Sequence, residues 1–91
     1  MTETPQVVAA EAARVVVLTR AGCHLCEVAE QVVEQVVAQT GDTWAAIDVD
    51  ADPALAARYT DEVPVTFVDG RQHDFWRVDP DRLRAALARS T

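Results

Sequence analysis

The sequence predicts an α/β domain in which a four-stranded mixed sheet is flanked by helices, with elements in the order β-α-β-α-β-β-α. Three observations carry this prediction. A β-branched run, Arg14-Val15-Val16-Val17-Leu18-Thr19, gives way after Gly22 to a helical hydrophobic period. Asp52-Pro53 and Asp79-Pro80 each pair an N-cap residue with a proline fit for the first helical position. Asp69-Gly70, between two strand-like runs, accepts the positive φ angles of a tight hairpin turn.

Residues 1–13 mix Pro5, acids and alanines without a clean period, so a poorly ordered tail is expected ahead of one domain over 14–91. The run Val15 to Leu18 reads as a central strand buried on both faces. From His24 onward, Leu25, Val28, Ala29, Val32, Val33, Val36 and Val37 form one apolar stripe, and Gly41 stops the helix. Trp44 to Val49 predicts the second strand. Asp52-Pro53 then opens a short helix with Leu55 and Tyr59 inward. Val63 to Val68 and Arg71 to Val78 form the hairpin, and Leu83, Ala86 and Leu87 face inward on the last helix. Strands joined through helices are expected to run parallel, by right-handed crossovers, with the hairpin adding an antiparallel edge.

Composition limits the function. The 91 residues carry 8 basic groups, all Arg and scattered, against 15 acids, for a net charge of −7. No basic stripe exists to bind nucleic acid. Apolar runs reach only four residues, as at Val15 to Leu18, against the ~20 of a membrane span. The first residues lack the basic and apolar regions of a secretory signal, so a cytoplasmic protein is expected. The chain has no Lys and a single Ser, Ser90, which removes Schiff-base chemistry and argues against a serine triad.

Cys23-His24-Leu25-Cys26 stands where the first strand hands over to the first helix. Unpaired N–H groups and the helix dipole favour an anion at Cys23, and Arg20 upstream adds positive charge, so the Cys23 thiol is expected to ionise easily. His24, when protonated, would favour the thiolate further. Cys26, one turn inside, is expected to stay protonated and resolve a mixed disulfide formed on Cys23. A purely structural staple closing so short a loop would contribute only about 2 kcal/mol. Zinc needs a second half-site, so a metal or iron-sulfur alternative requires two chains, each giving one CxxC. Covalent haem attachment needs His after the second Cys, and Glu27 is there.

Thr19-Arg20-Ala21-Gly22-Cys23-His24-Leu25-Cys26, Val63-Pro64 ahead of the third strand and the Asp69-Gly70 hairpin together resemble the glutaredoxin-like branch of the thioredoxin superfamily, over about Arg14 to Arg89. The resemblance implies a thioredoxin-like fold and a cis Pro64 whose loop faces the CxxC pair. It also implies that Val63 offers backbone groups to a bound thiol substrate. Two features depart from the family pattern: His24-Leu25 stands in place of Pro-Tyr, and Phe75-Trp76-Arg77-Val78-Asp79 lacks the Gly-Gly segment that holds glutathione. Of the chain's cations, only Arg20, Arg71 or Arg77 is placed to answer glutathione's carboxylates.

The expectation is a thiol-disulfide oxidoreductase that needs no cofactor or metal and acts as a monomer. It would reduce disulfides of proteins or small thiols with electrons from a separate reductant, Cys23 and Cys26 being catalytic and Val63, Pro64, Arg20 and His24 contacting substrate. A non-catalytic interaction module on the same fold is the other alternative.

Overall fold

A computed structural model describes residues 12–89; most of the expected N-terminal tail, residues 1–11, lies outside them. Strand β1 (Val15–Thr19) leads through the CxxC turn to helix α1 (His24–Thr40). Strand β2 (Trp44–Asp48), a 3-10 turn over Val49–Ala51 and helix α2 (Pro53–Tyr59) follow. Strands β3 (Val65–Val68) and β4 (Arg71–Phe75) form the hairpin, and helix α3 (Pro80–Arg89) closes the chain. The sheet order is β2-β1-β3-β4.

Strand β1 is internal and buried on both faces, as its unbroken apolar run predicts. Val15 and Val17 pack with Val33, Val36, Val37, Leu83 and Leu87 of α1 and α3. Val16 and Leu18 pack on the opposite face with Leu55, Tyr59 and Phe67. Valines cost a helix up to about 0.7 kcal/mol each relative to alanine. Burying one returns about 1.5–3 kcal/mol, so tertiary packing overrides propensity in α1. The caps read from the sequence form as expected: Asp52 accepts from the N–H groups of Ala54 and Leu55, and Asp79 from those of Asp81 and Arg82. Gly41, at φ 78°, ends α1 with its N–H on the Val37 carbonyl. Asp69 and Gly70 both take positive φ in the hairpin turn.

The direction of β3 corrects the expectation of parallel strands. β1 and β2 are parallel, but β3 runs antiparallel to β1, with Val65 opposite Leu18 and Val68 opposite Val15. The seven residues of α2 span only about 10 Å, too little to carry the chain back along the sheet. The chain therefore re-enters at the end of the sheet it left, on the other side of β1. That reversal places Pro64 at the same end of the sheet as the CxxC turn.

Three smaller corrections concern the ends of elements. Leu25 and Val28 keep the helical period but are 43% and 42% exposed, because the buried face of α1 runs through Cys26, Ala29, Val33, Val36 and Val37 and leaves them on its flank. Val49 leaves β2 for the 3-10 turn and is buried there. Strand β4 ends at Phe75, not Val78, because Trp76 takes φ 64° and its N–H turns to the Pro64 carbonyl at 2.7 Å.

At the end of the sheet away from the cysteines, Arg14 joins three connections. Its guanidinium reaches Asp42 at 2.8 Å, Asp69 at 3.0 Å and the Leu87 carbonyl at 2.8 Å. With only 18% of the side chain exposed, these charged hydrogen bonds are better shielded than surface pairs. Arg14→Met should cost about 1.5–3 kcal/mol, read as a lower urea midpoint with unchanged slope.

His73 is the extra residue of a bulge where the β3–β4 register shifts. Its ring is 10% exposed, with Nε2 3.8 Å from the Asp74 carboxylate. Burial lowers its pKa from the ordinary histidine value, and Asp74 opposes that only in part. A depressed folded value means the neutral ring supports the fold above about pH 6.5, and that support fades as pH falls through the folded value. Replacing His73 with Gln should flatten the stability profile below about pH 6.5, which urea titrations across pH would measure.

Candidate active site

The turn between β1 and α1 sets the geometry of the two sulfurs. Gly22 holds φ 73°, and a Cβ there would meet no atom within 4 Å, so backbone conformation rather than crowding calls for glycine. Cys23 follows as the N-cap of α1 in extended geometry, and its Sγ accepts the Cys26 N–H at 3.2 Å. The cysteines are joined in a disulfide, with Cα atoms 5.2 Å apart. Their environments differ. Cys23 is partly exposed at the helix end, whereas Cys26 is 1% exposed.

The second half of the site comes from the loop into β3. The Val63–Pro64 peptide is cis, and Pro64 is buried. Because Val65 pairs with Leu18, this turn leaves the sheet beside the strand that delivers Cys23. Leu25, Val63, Phe75, Trp76 and Arg77 line one groove of about 380 Å³, so the CxxC turn, the proline loop and the end of β4 share a surface.

Among the described residues no group of three or more His, Cys, Asp or Glu could hold a metal ion. No helix among them is long and apolar enough to cross a membrane.

The glutaredoxin-like domain family (DUF836) matches residues 14–88. The chain belongs to this glutaredoxin-like family. The protein Rv0508 of Mycobacterium tuberculosis is 46% identical to it over 84 residues, covering 86% of each chain. Among solved structures, the X. campestris protein XcR50 has a TM-score of 0.69 at 31% identity, over 85% of this chain and 99% of its own. Fasciola hepatica thioredoxin has a TM-score of 0.57 at 26% identity, over 85% and 79%. The glutaredoxin-like chain thus has the thioredoxin-type fold.

Two residues assigned to substrate from the sequence, Arg20 and His24, do not line this groove. Arg20 does not line the groove: its guanidinium is bound by both Asp50 oxygens at 3.1 Å and by Thr60 Oγ1 at 2.7 Å. Its positive charge is therefore countered by an acid that follows β2. His24 projects into solvent, 85% exposed, with Nδ1 3.7 Å from the Glu27 carboxylate. Trp76, to which sequence reasoning assigns no catalytic role but a place near the active-site rim, lines the groove. Its Nε1–H donates to the Asp61 carbonyl at 3.1 Å, and its backbone N–H donates to that of Pro64. It straps the proline loop. Its ring meets Phe75 edge-on at 5.0 Å. The only sequence signal for it was two adjacent aromatics closing a strand.

Proposed function

We propose that this glutaredoxin-like protein is a dithiol thiol-disulfide oxidoreductase. The observation that carries the reading is the unequal placement of two linked cysteines, one partly exposed at a helix N-terminus and one buried behind it. In the reduced protein, the Cys23 thiolate attacks a substrate disulfide, forming one mixed S–S bond and expelling one substrate thiolate, which takes a proton. Cys26 loses its proton and attacks Cys23 Sγ, closing the internal disulfide and releasing the second substrate thiolate. The substrate gains two electrons, the protein loses two, and a separate thiol reductant restores the dithiol.

The Cys26 N–H already directed at Cys23 Sγ supports Cys23 as the attacking sulfur, because the same donor would hold its thiolate. Disulfides of proteins or small thiols are the substrates in this reading. Val63 and the buried Pro64 flank them, the protein acts as a monomer, and the reducing cytoplasm is its compartment. Glutathione is a weak partner: of the three cations that could answer its two carboxylates, Arg20 is engaged by Asp50 and Arg71 lies at the hairpin end opposite Val68, which leaves Arg77 alone in the groove.

The test is consumption of bis(2-hydroxyethyl) disulfide with dithiothreitol as the recycling thiol. Cys23→Ser should fall to the uncatalysed rate while remaining folded. A folded wild-type protein with intact thiols and no turnover would leave a non-catalytic module instead.

A further inference from the structure

Large apolar side chains left exposed among the described residues are Leu25, Val28, Phe75 and Trp76. Three of these four, Leu25 of the CxxC turn among them, gather in the groove that Val63 also lines. Such clustering on a chain of net charge −7 marks a contact surface rather than random exposure. Arg77 is the one charged residue in the groove's lining. The acids on the adjoining rim are already engaged: Asp74 by Arg82, Asp79 by the N–H groups of Asp81 and Arg82, and Asp81 by Arg84. Among the described residues Arg77 has no ion-pair partner, so the groove offers an apolar wall and one unanswered cation.

We propose that this groove selects protein disulfides in which an apolar side chain adjoins the reactive cysteine and an acidic residue follows, with Trp76 and Arg77 setting the choice. The proposal rests on the oxidoreductase reading and names its substrate class. Trp76 supplies a wall that is fixed before binding, because the Asp61 and Pro64 carbonyls hold both its ring and its backbone. An apolar neighbour of the substrate cysteine leaves water against Trp76, Phe75 and Leu25 while its sulfur faces Cys23. A carboxylate one residue further on meets the Arg77 guanidinium. The reaction is the two-electron exchange already described, with dithiothreitol as the final reductant.

The test uses three symmetrical disulfide dimers of short peptides, carrying cysteine-leucine-glutamate, cysteine-leucine-lysine or cysteine-glycine-glutamate. Each kcat/KM is divided by that peptide's rate with dithiothreitol alone, which removes differences in the peptides' own thiol acidity. Wild type should favour the leucine-glutamate peptide about tenfold over the glycine one. It should favour the same peptide about threefold over the lysine one. Arg77→Glu should invert the charge preference and keep the apolar one. Trp76→Ala should abolish the apolar preference, and Leu25→Ala, on the exposed face of a helix, should weaken it without touching the strap. Equal rates on all three peptides, with bis(2-hydroxyethyl) disulfide still consumed, would overturn the groove's role and leave the oxidoreductase reading intact. An unchanged charge preference in Arg77→Glu would overturn it as well. No consumption of any disulfide would remove both.

Discussion

Reduced Cys26→Ser is expected to stop after one chemical step, accumulating a mixed disulfide on Cys23 while multiple turnover falls to background. Its basis is the position of Cys26, three residues from Cys23 and 1% exposed. No other cysteine exists in the chain to replace it. Intact-mass measurement after one equivalent of a peptide disulfide should show the adduct, and wild type should show only the internal disulfide. In the same variant, thiolate absorbance near ~240 nm should titrate well below the free-cysteine value of about 8.5. A normal thiol would remove Cys23 as the nucleophile. Efficient turnover of glutathione mixed disulfides by Cys26→Ser, with glutathione as the recycling thiol, would restore a monothiol route and contradict the weak glutathione recognition inferred above.

Phe67→Ala should have the largest effect on stability. Phe67 is 2% exposed and meets Tyr59 edge-on at 6.1 Å, inside the cluster of Val16, Leu18, Val49, Leu55 and Val65. Removing a buried phenyl ring costs about 3–5 kcal/mol. A domain of this kind has about 5–15 kcal/mol in total. The urea midpoint should drop by a large fraction, with the slope preserved if the fold is. The substitution also loosens the face of β3 whose first residue follows Pro64, so surviving folded protein should react more slowly with disulfides. A midpoint within the error of wild type would show that α2 and β3 do not depend on this contact.

Much of the fold was legible because its determinants are local. The β-branched run of β1, the caps at Asp52 and Asp79, Gly41 and the Asp69-Gly70 turn each act within a few residues. The same is true of the CxxC pair, whose place at a strand-to-helix junction follows from the change of period around Gly22. The direction of β3 was not legible from strand and helix order, since it depends on how far a seven-residue α2 can travel before Val65 finds Leu18. Leu25 and Val28 had the right period for burial, but periodicity leaves open how the stripe is rotated, and the buried face runs through Cys26 and Ala29 instead. Arg20 was read from its nearness to Cys23 in sequence, whereas its partner Asp50 becomes a neighbour only because β2 lies beside β1. The strap that Trp76 makes was hidden for a related reason: a non-glycine residue at positive φ is held there by the Asp61 and Pro64 carbonyls, both distant in the chain.

The Arg14 clasp and the Cys23 turn lie at opposite ends of one five-residue strand, about 16 Å apart. At that separation, substitutions that share no partner add without coupling. Arg14→Met combined with Arg77→Glu should therefore show the melting behaviour of the first and the peptide preference of the second, neither altered by the other. Fold stability and the peptide preference proposed for the groove are thus expected to be independently adjustable in this domain. Destabilising changes near the groove can be compensated from the far pole, leaving the sulfur chemistry as it was.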